Sequence, residues 1–197
     1  MRLIALEELT APCPPSAVCL GTFDGVHLGH RELLRCTAEA ADREGLIPAV
    51  YTFDVPPASV LGEGRAAVLT EVQEKAALMA ECGIERVVYS RFDRQVAQQS
   101  AEDFFEQVLC GKLNARHVVI GFHYRFGCRA QGDAALMERL CREKGMGITV
   151  VPPVRLESGL LVSSSAIRDG LARGDRSLAE KMLNRPLSPR EEALLGG

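Results

Sequence analysis

Short runs of β-branched and aliphatic residues alternate along this chain with stretches whose apolar positions recur every three to four residues, the pattern of strands interleaved with helices. Residues 17–20, Ala-Val-Cys-Leu, end at Gly21 and read as a buried strand. Residues 30–43 carry Leu33, Leu34, Thr37, Ala38 and Ala41 on one helical face, and residues 46–53 make a second strand. Thr70 is placed to N-cap a helix that runs to Cys82, with Leu78 and Met79 inward and Gly83 to end it. Residues 86–89 form a third strand. Ser100-Ala101-Glu102-Asp103 then opens a helix with a hydroxyl cap and acid in its first turn. Residues 117–121 are the most clearly apolar strand, 134–144 a helix, and 147–151 a fifth strand. Two more helices are predicted, from near Ser164 to Gly174 and from about Ser177 to Leu183, the latter capped by Asp175.

This alternation predicts an α/β fold, a mostly parallel sheet of about five strands flanked by helices. No repeat, low-complexity tract or long linker divides the chain, so one domain is predicted over residues 1–186. Residues 187–197 would be a tail, either a short helix or a frayed end. The Pro- and Gly-rich residues 54–67 read as a long active-site loop.

Composition narrows the function. At 197 residues, 47% hydrophobic and 25% charged, the chain can bury one ordinary core. A net charge of -3 gives no basic surface for non-specific nucleic-acid binding. Residues 1–8 break into acid before an apolar signal core forms, and no run approaches the roughly 18 apolar residues of a membrane span. A cytoplasmic protein is expected. The seven cysteines contain no C-x-x-C pair and read as reduced, mainly structural thiols.

The chemistry concentrates in Gly21-Thr22-Phe23-Asp24-Gly25-Val26-His27-Leu28-Gly29-His30, where a strand runs into a glycine-punctuated turn and then a helix. Backbone N–H groups and a positive helix end meet there at the carboxyl edge of the sheet, where anions bind. His27 and His30 stand at i and i+3, so both can face one point from the first helical turn. A P-loop is excluded, since G-x-x-x-x-G-K-[ST] is absent and the nearest string, residues 127–132, is followed by Asp133. There is no G-x-G-x-x-G fingerprint, and a metal site lacks an evident third ligand. Ser164 and Ser165 can cap the helix they open and offer donors to phosphate, and Arg168 lies one turn on.

The string His27-Leu28-Gly29-His30 after a strand resembles the signature of adenylyl- and cytidylyltransferases with a Rossmann-like fold. The longer run from Gly21 to His30 is similar to the nucleotidyltransferase module of bacterial FAD synthetases. Gly121-Phe122-His123-Tyr124-Arg125-Phe126-Gly127 resembles that family's G-x-[DN]-[FY]-x-F-G segment, and Ser163-Ser164-Ser165-Ala166-Ile167-Arg168 its S-S-[ST]-x-I-R motif. The resemblance covers about residues 15–186.

It implies an FMN adenylyltransferase that moves AMP from ATP, with Mg²⁺, onto FMN to give FAD and pyrophosphate. By the same resemblance His27, His30 and Arg168 would be catalytic. Gly21, Thr22, Phe23, Asp24, Gly25, Gly29, Ser164 and Ser165 would bind ATP, and Phe53, His123, Tyr124, Arg125 and Phe126 would bind the flavin, with no dedicated metal ligand. Three departures fall on the acceptor side. Phe53-Asp54-Val55-Pro56-Pro57 lacks the family's Pro-His-Pro histidine, His123 replaces an Asp or Asn, and Cys128-Arg129-Ala130-Gln131 keeps one arginine where the family is basic and glycine-rich. The resembled synthetases continue into a riboflavin kinase module, whereas this chain stops soon after Asn184-Arg185-Pro186 and would draw its FMN from elsewhere. Another phosphorylated acceptor, or a flavin- or nucleotide-binding relative without turnover, remain open alternatives.

Overall fold

The structure, a computed structural model, describes residues 1–57, 60 and 67–196. Six parallel strands form one sheet: β1 (Arg2–Ala5), β2 (Ser16–Leu20), β3 (Ile47–Phe53), β4 (Arg86–Ser90), β5 (Ala115–Gly121) and β6 (Gly147–Val151), in the order β1-β4-β3-β2-β5-β6. The strand beyond the expected five is β1. Four residues at a sheet edge are too few to display a period, and the acid that follows them masked it. In the interior strands, successive residues serve opposite faces. Val18, Leu20, Tyr51 and Ile120 pack with Phe105 and Met137, while Cys19, Val50 and Val119 pack with Leu34 and Met79. Burial on both faces turns a strand into a continuous apolar run, which is what made these strands readable.

The helix α1 (Leu28–Glu44) starts two residues earlier than its periodicity predicts, because the His27 imidazole itself caps it by accepting from the His30 backbone N–H at 3.3 Å. In α2 (Val72–Ala80) the predicted cap is displaced to Glu71. Thr70 is unavailable because its hydroxyl accepts from the Gly25 N–H at 2.9 Å. After Ser100, which caps as predicted, α3 (Ala101–Asp103) continues as a π-helix over Phe104–Lys112. Helix α4 (Ala134–Glu143) follows β5. Helix α5 (Ser164–Ala172) is capped by Ser163 rather than by Ser164 or Ser165, since the Ser164 hydroxyl donates to the Asp24 carbonyl at 2.8 Å. Asp175 caps α6 (Arg176–Leu183) as expected. The tail forms α7 (Pro189–Glu192), and Leu187 packs with Ile167, Leu171, Met182 and Leu69 in a satellite core.

The chain leaves β2 toward β3 on one side while β5 flanks it on the other, so a crevice opens at their carboxyl ends, the switch point of a doubly wound sheet. The turn of residues 21–30 enters that crevice. Of the predicted loop 54–67, residues 58, 59 and 61–66 lie outside those described. No helix among the described residues is long and apolar enough to cross a membrane.

Candidate active site

The turn after β2 adopts backbone conformations that L-residues avoid. Phe23 has φ 51°, Gly25 φ 85° and Val26 φ 43°. Each non-glycine residue held there costs about 1–3 kcal/mol, so the surroundings must over-determine the turn. They do so through Asp24, which is 1% exposed. Its Oδ1 accepts from the Leu69 and Thr70 N–H groups at 3.0 Å each, and its Oδ2 from the Arg168 guanidinium. At Gly25 an added Cβ would sit 3.0 Å from a Leu69 methyl, and the positive φ would oppose it in any case.

From this turn His27 and His30 rise with their rings stacked, centroids 3.6 Å apart and planes 14° from parallel. Gly29 permits the arrangement, since a Cβ there would lie 3.2 Å from the His27 ring. Because His27 Nδ1 accepts a hydrogen bond, the neutral ring carries its proton on Nε2. Burial pushes His27 down to about 4. Burial first, then the charges of His27 and Lys75, holds His30 well below the ordinary histidine value. Both imidazoles are therefore neutral near pH 7. His30 Nδ1 is buried without a protein partner. The Phe23 ring supports His30 from 5.0 Å away, fully buried and outside both cavities.

Two cavities meet at His30. The smaller, about 390 Å³, is lined by Thr22, Asp24, His27, His30, Ser163, Ser164, Ser165, Arg168 and the prolines at 56 and 57. The larger, about 980 Å³, runs from Gly21, Thr22 and His30 past Phe53, Tyr51 and Phe92 to His123, Tyr124, Arg125 and Phe126. The structure thus brings His27, His30 and Arg168 together, and it places all five expected flavin residues along one wall system. Gly25 and Gly29 shape the turn and line neither cavity. Arg168 is less free than its motif suggested. Its Nε donates to the Ala67 carbonyl at 2.7 Å and its Nη2 to Asp24, leaving Nη1 as the remaining edge. Within the larger cavity Phe53 meets Phe92 edge-on at 5.0 Å, Tyr124 stacks on Phe126 at 5.8 Å, and Arg125 pairs with Asp133 at 3.7 Å. No three His, Cys, Asp or Glu side chains among the described residues gather to hold a metal ion.

Sequence reasoning missed Lys75. It lies fully buried on α2, its Nζ donating to the Phe53 carbonyl at 3.2 Å, and burial lowers its pKa against the opposing pull of Asp24 and Asp54. The signal was present, because Lys75 falls on the same helical stripe as Ala76 and Met79, where a lysine is out of place. Phe92, in an aperiodic loop, carried no such signal. The seven cysteines are free, and burial pushes Cys19 and Cys141 up to about 12, which makes them inert core residues.

Comparison with known proteins bears on the family and the fold of the chain. The family described as FAD synthetase matches residues 11–166. The bifunctional riboflavin kinase/FMN adenylyltransferase of Escherichia coli K12 is 35% identical over 191 residues, covering 95% of this chain. The chain spans only 61% of that relative's length. A Geobacillus thermodenitrificans protein provisionally named as the same bifunctional enzyme is 34% identical over 175 residues, covering 89% of this chain and 93% of that protein. Among solved structures, one described as a macrolide-efflux protein from Streptococcus pneumoniae superposes with a TM-score of 0.82 at 29% identity, over 95% of this chain and 63% of the other.

Proposed function

The chain belongs to the FAD synthetase family, and on that premise we propose that its paired cavities transfer AMP from ATP to FMN, giving FAD and pyrophosphate. One observation carries the reading: His30 and Thr22 line both cavities, so a group in each would meet across a single imidazole. ATP would lie in the smaller cavity, its phosphates against the first turn of α5 and the serines at 163–165. The flavin would occupy the larger cavity among Phe53, Tyr124 and Phe126, its phosphate directed to Thr22 and His30.

The FMN phosphate oxygen attacks the α-phosphorus, the bond from that phosphorus to the β-phosphate bridge oxygen breaks, and pyrophosphate leaves. The acceptor is already ionised at neutral pH, so no general base is needed and catalysis rests on alignment and charge stabilisation. His27 would donate from Nε2, and His30 from the cavity side, to the oxygens on which charge builds. Arg168 Nη1 and the helix-opening serines would hold the departing pyrophosphate. Mg²⁺ would enter with ATP as part of the substrate. The Asp24 carboxylate is already committed to Leu69, Thr70 and Arg168, so the donors present fit an ion held mainly by phosphate oxygens. Free thiols at all seven cysteines suit work in a reducing cytoplasm.

A different phosphorylated acceptor is the second reading, favoured by exposed His123 in the larger cavity where the family carries Asp or Asn. The test is to supply ATP, Mg²⁺ and FMN to the purified protein and follow flavin fluorescence together with pyrophosphate release. Fluorescence falling in step with pyrophosphate is the expected result. Pyrophosphate released only with other phosphorylated acceptors would move the assignment to the second reading, and FMN binding with neither signal would overturn both.

A further inference from the structure

The peptide unit joining Gly25 to Val26 is the most strained link in the site. Val26 is β-branched, fully buried and at φ 43°. A flip of that peptide would change ψ of Gly25 and φ of Val26 together, relieving Val26 at little cost to glycine. It would also break the Val26 N–H bond to the Phe23 carbonyl that closes the turn, loosening the segment that carries His27 and His30. Two hydrogen bonds oppose the flip. The Val26 N–H donates to the Phe23 carbonyl at 3.2 Å, and Arg185 Nη2 donates to the Gly25 carbonyl at 3.4 Å.

Arg185 is itself held by Glu191. Its Nη1 and Nη2 each reach one carboxylate oxygen at 2.7 Å, in the two-pronged geometry that fixes direction as well as distance. Glu191 is fully buried, and its remaining lone pairs take the Ser188 N–H at 2.8 Å. A buried ion pair of this kind adds little net stability over an apolar pair of the same size, and its main contribution is a defined geometry. Here the geometry it defines is the aim of Arg185 at Gly25, where any added Cβ would also lie 3.3 Å from a Leu183 methyl. Arg185 and Glu191 line neither cavity and lie beyond the residues matched to the family, 11–166.

We infer that the Arg185–Glu191 pair is a positioning strut that locks the Gly25–Val26 peptide and thereby the two histidines. Its rate arm rests on the adenylyl-transfer reading. Wild type, Glu191→Gln, Arg185→Met and Arg185→Lys are compared by amide hydrogen exchange and by FAD formation. In Glu191→Gln and Arg185→Met, exchange over residues 24–31 is expected to quicken about tenfold while residues 117–121 change less than twofold, a split that global destabilisation would not produce. Turnover should fall about tenfold with KM for FMN within twofold, and Arg185→Lys, which keeps a donor for Gly25, should recover most of the rate. Unchanged exchange over 24–31, or unchanged turnover in a folded variant whose turn has loosened, overturns the strut. A wild type that forms no FAD counts against the adenylyl-transfer reading instead, and exchange alone then decides the strut. Should Arg185→Met fail to fold, Glu191→Gln and Arg185→Lys carry the same comparison.

Discussion

The guanidinium of Arg168 is held between the carboxylate of Asp24, 144 positions earlier in the chain, and the carbonyl of Ala67. This clasp joins the turn after β2 to the start of α5, and it leaves one edge of the arginine for an anion. Replacing Asp24 by Asn keeps the volume but leaves the arginine, only 19% exposed at its side chain, without its counter-charge. The Asp24→Asn variant is expected to lose about 3 kcal/mol of stability, the low end for an orphaned buried charge. Adenylyl transfer should fall by about a hundredfold, because on the proposed reading both displaced elements hold the same phosphates. Thermal unfolding and FAD formation on the same preparation check both, and a fully active, equally stable variant would rule the clasp out.

His30 stands in the wall of both cavities, and on the proposed reading its loss removes a donor at the point of transfer. His30→Ala is expected to lower turnover by about a hundredfold or more, the cost typical of one such donor. An unaltered rate in a folded preparation would refute the role.

Gly29 separates stability from activity. An alanine in the first turn of α1 brings up to about 1 kcal/mol of helix propensity, set against a Cβ lying 3.2 Å from the His27 ring. Gly29→Ala is therefore expected to leave the melting temperature nearly unchanged while turnover drops about tenfold and KM for FMN stays put. A loss of stability matching the loss of rate would point instead to a packing defect.

On the acceptor side, Phe53 meets Phe92 and Tyr51 edge-on, at 5.0 and 5.6 Å. Phe53→Leu keeps apolar bulk but removes the aromatic face, worth about 0.5–1.5 kcal/mol. KM for FMN should rise about three- to tenfold with turnover unchanged. An unmoved KM would place the flavin elsewhere in the cavity.

Acid should weaken the fold through His27. Its value is about 4 in the native protein, against about 6.5 in an unfolded chain. Between those limits the unfolded chain binds a proton that the native state refuses. The stability involved is thus fully present above pH 6.5 and is lost as pH falls toward 4, by up to about 1.4 kcal/mol per pH unit. Melting temperatures of His27→Gln measured across that window should show a shallower slope than wild type, and equal slopes would argue against a buried neutral imidazole.

How much of this was legible beforehand follows from what each residue answers to. The doubly buried strands announced themselves through uninterrupted apolar runs, and the glycine-histidine turn through its spacing. Thr70 and Ser164 misled because each looked like a local cap. Their hydroxyls instead serve Gly25 and Asp24, partners 45 and 140 residues away that no local pattern encodes. Lys75 was legible in principle as a charge on an apolar stripe. Phe92 was not, because a loop residue that completes a cavity leaves no periodicity behind.

The single imidazole standing between the two cavities has a stereochemical corollary. On the proposed reading, donor and recipient occupy opposite sides of His30, and the acceptor oxygen reaches the phosphorus along a straight line with no covalent stopover on the protein. One displacement along one line must turn the centre inside out, so an ATP made chiral by sulfur at its first phosphorus would yield a dinucleotide of the opposite hand.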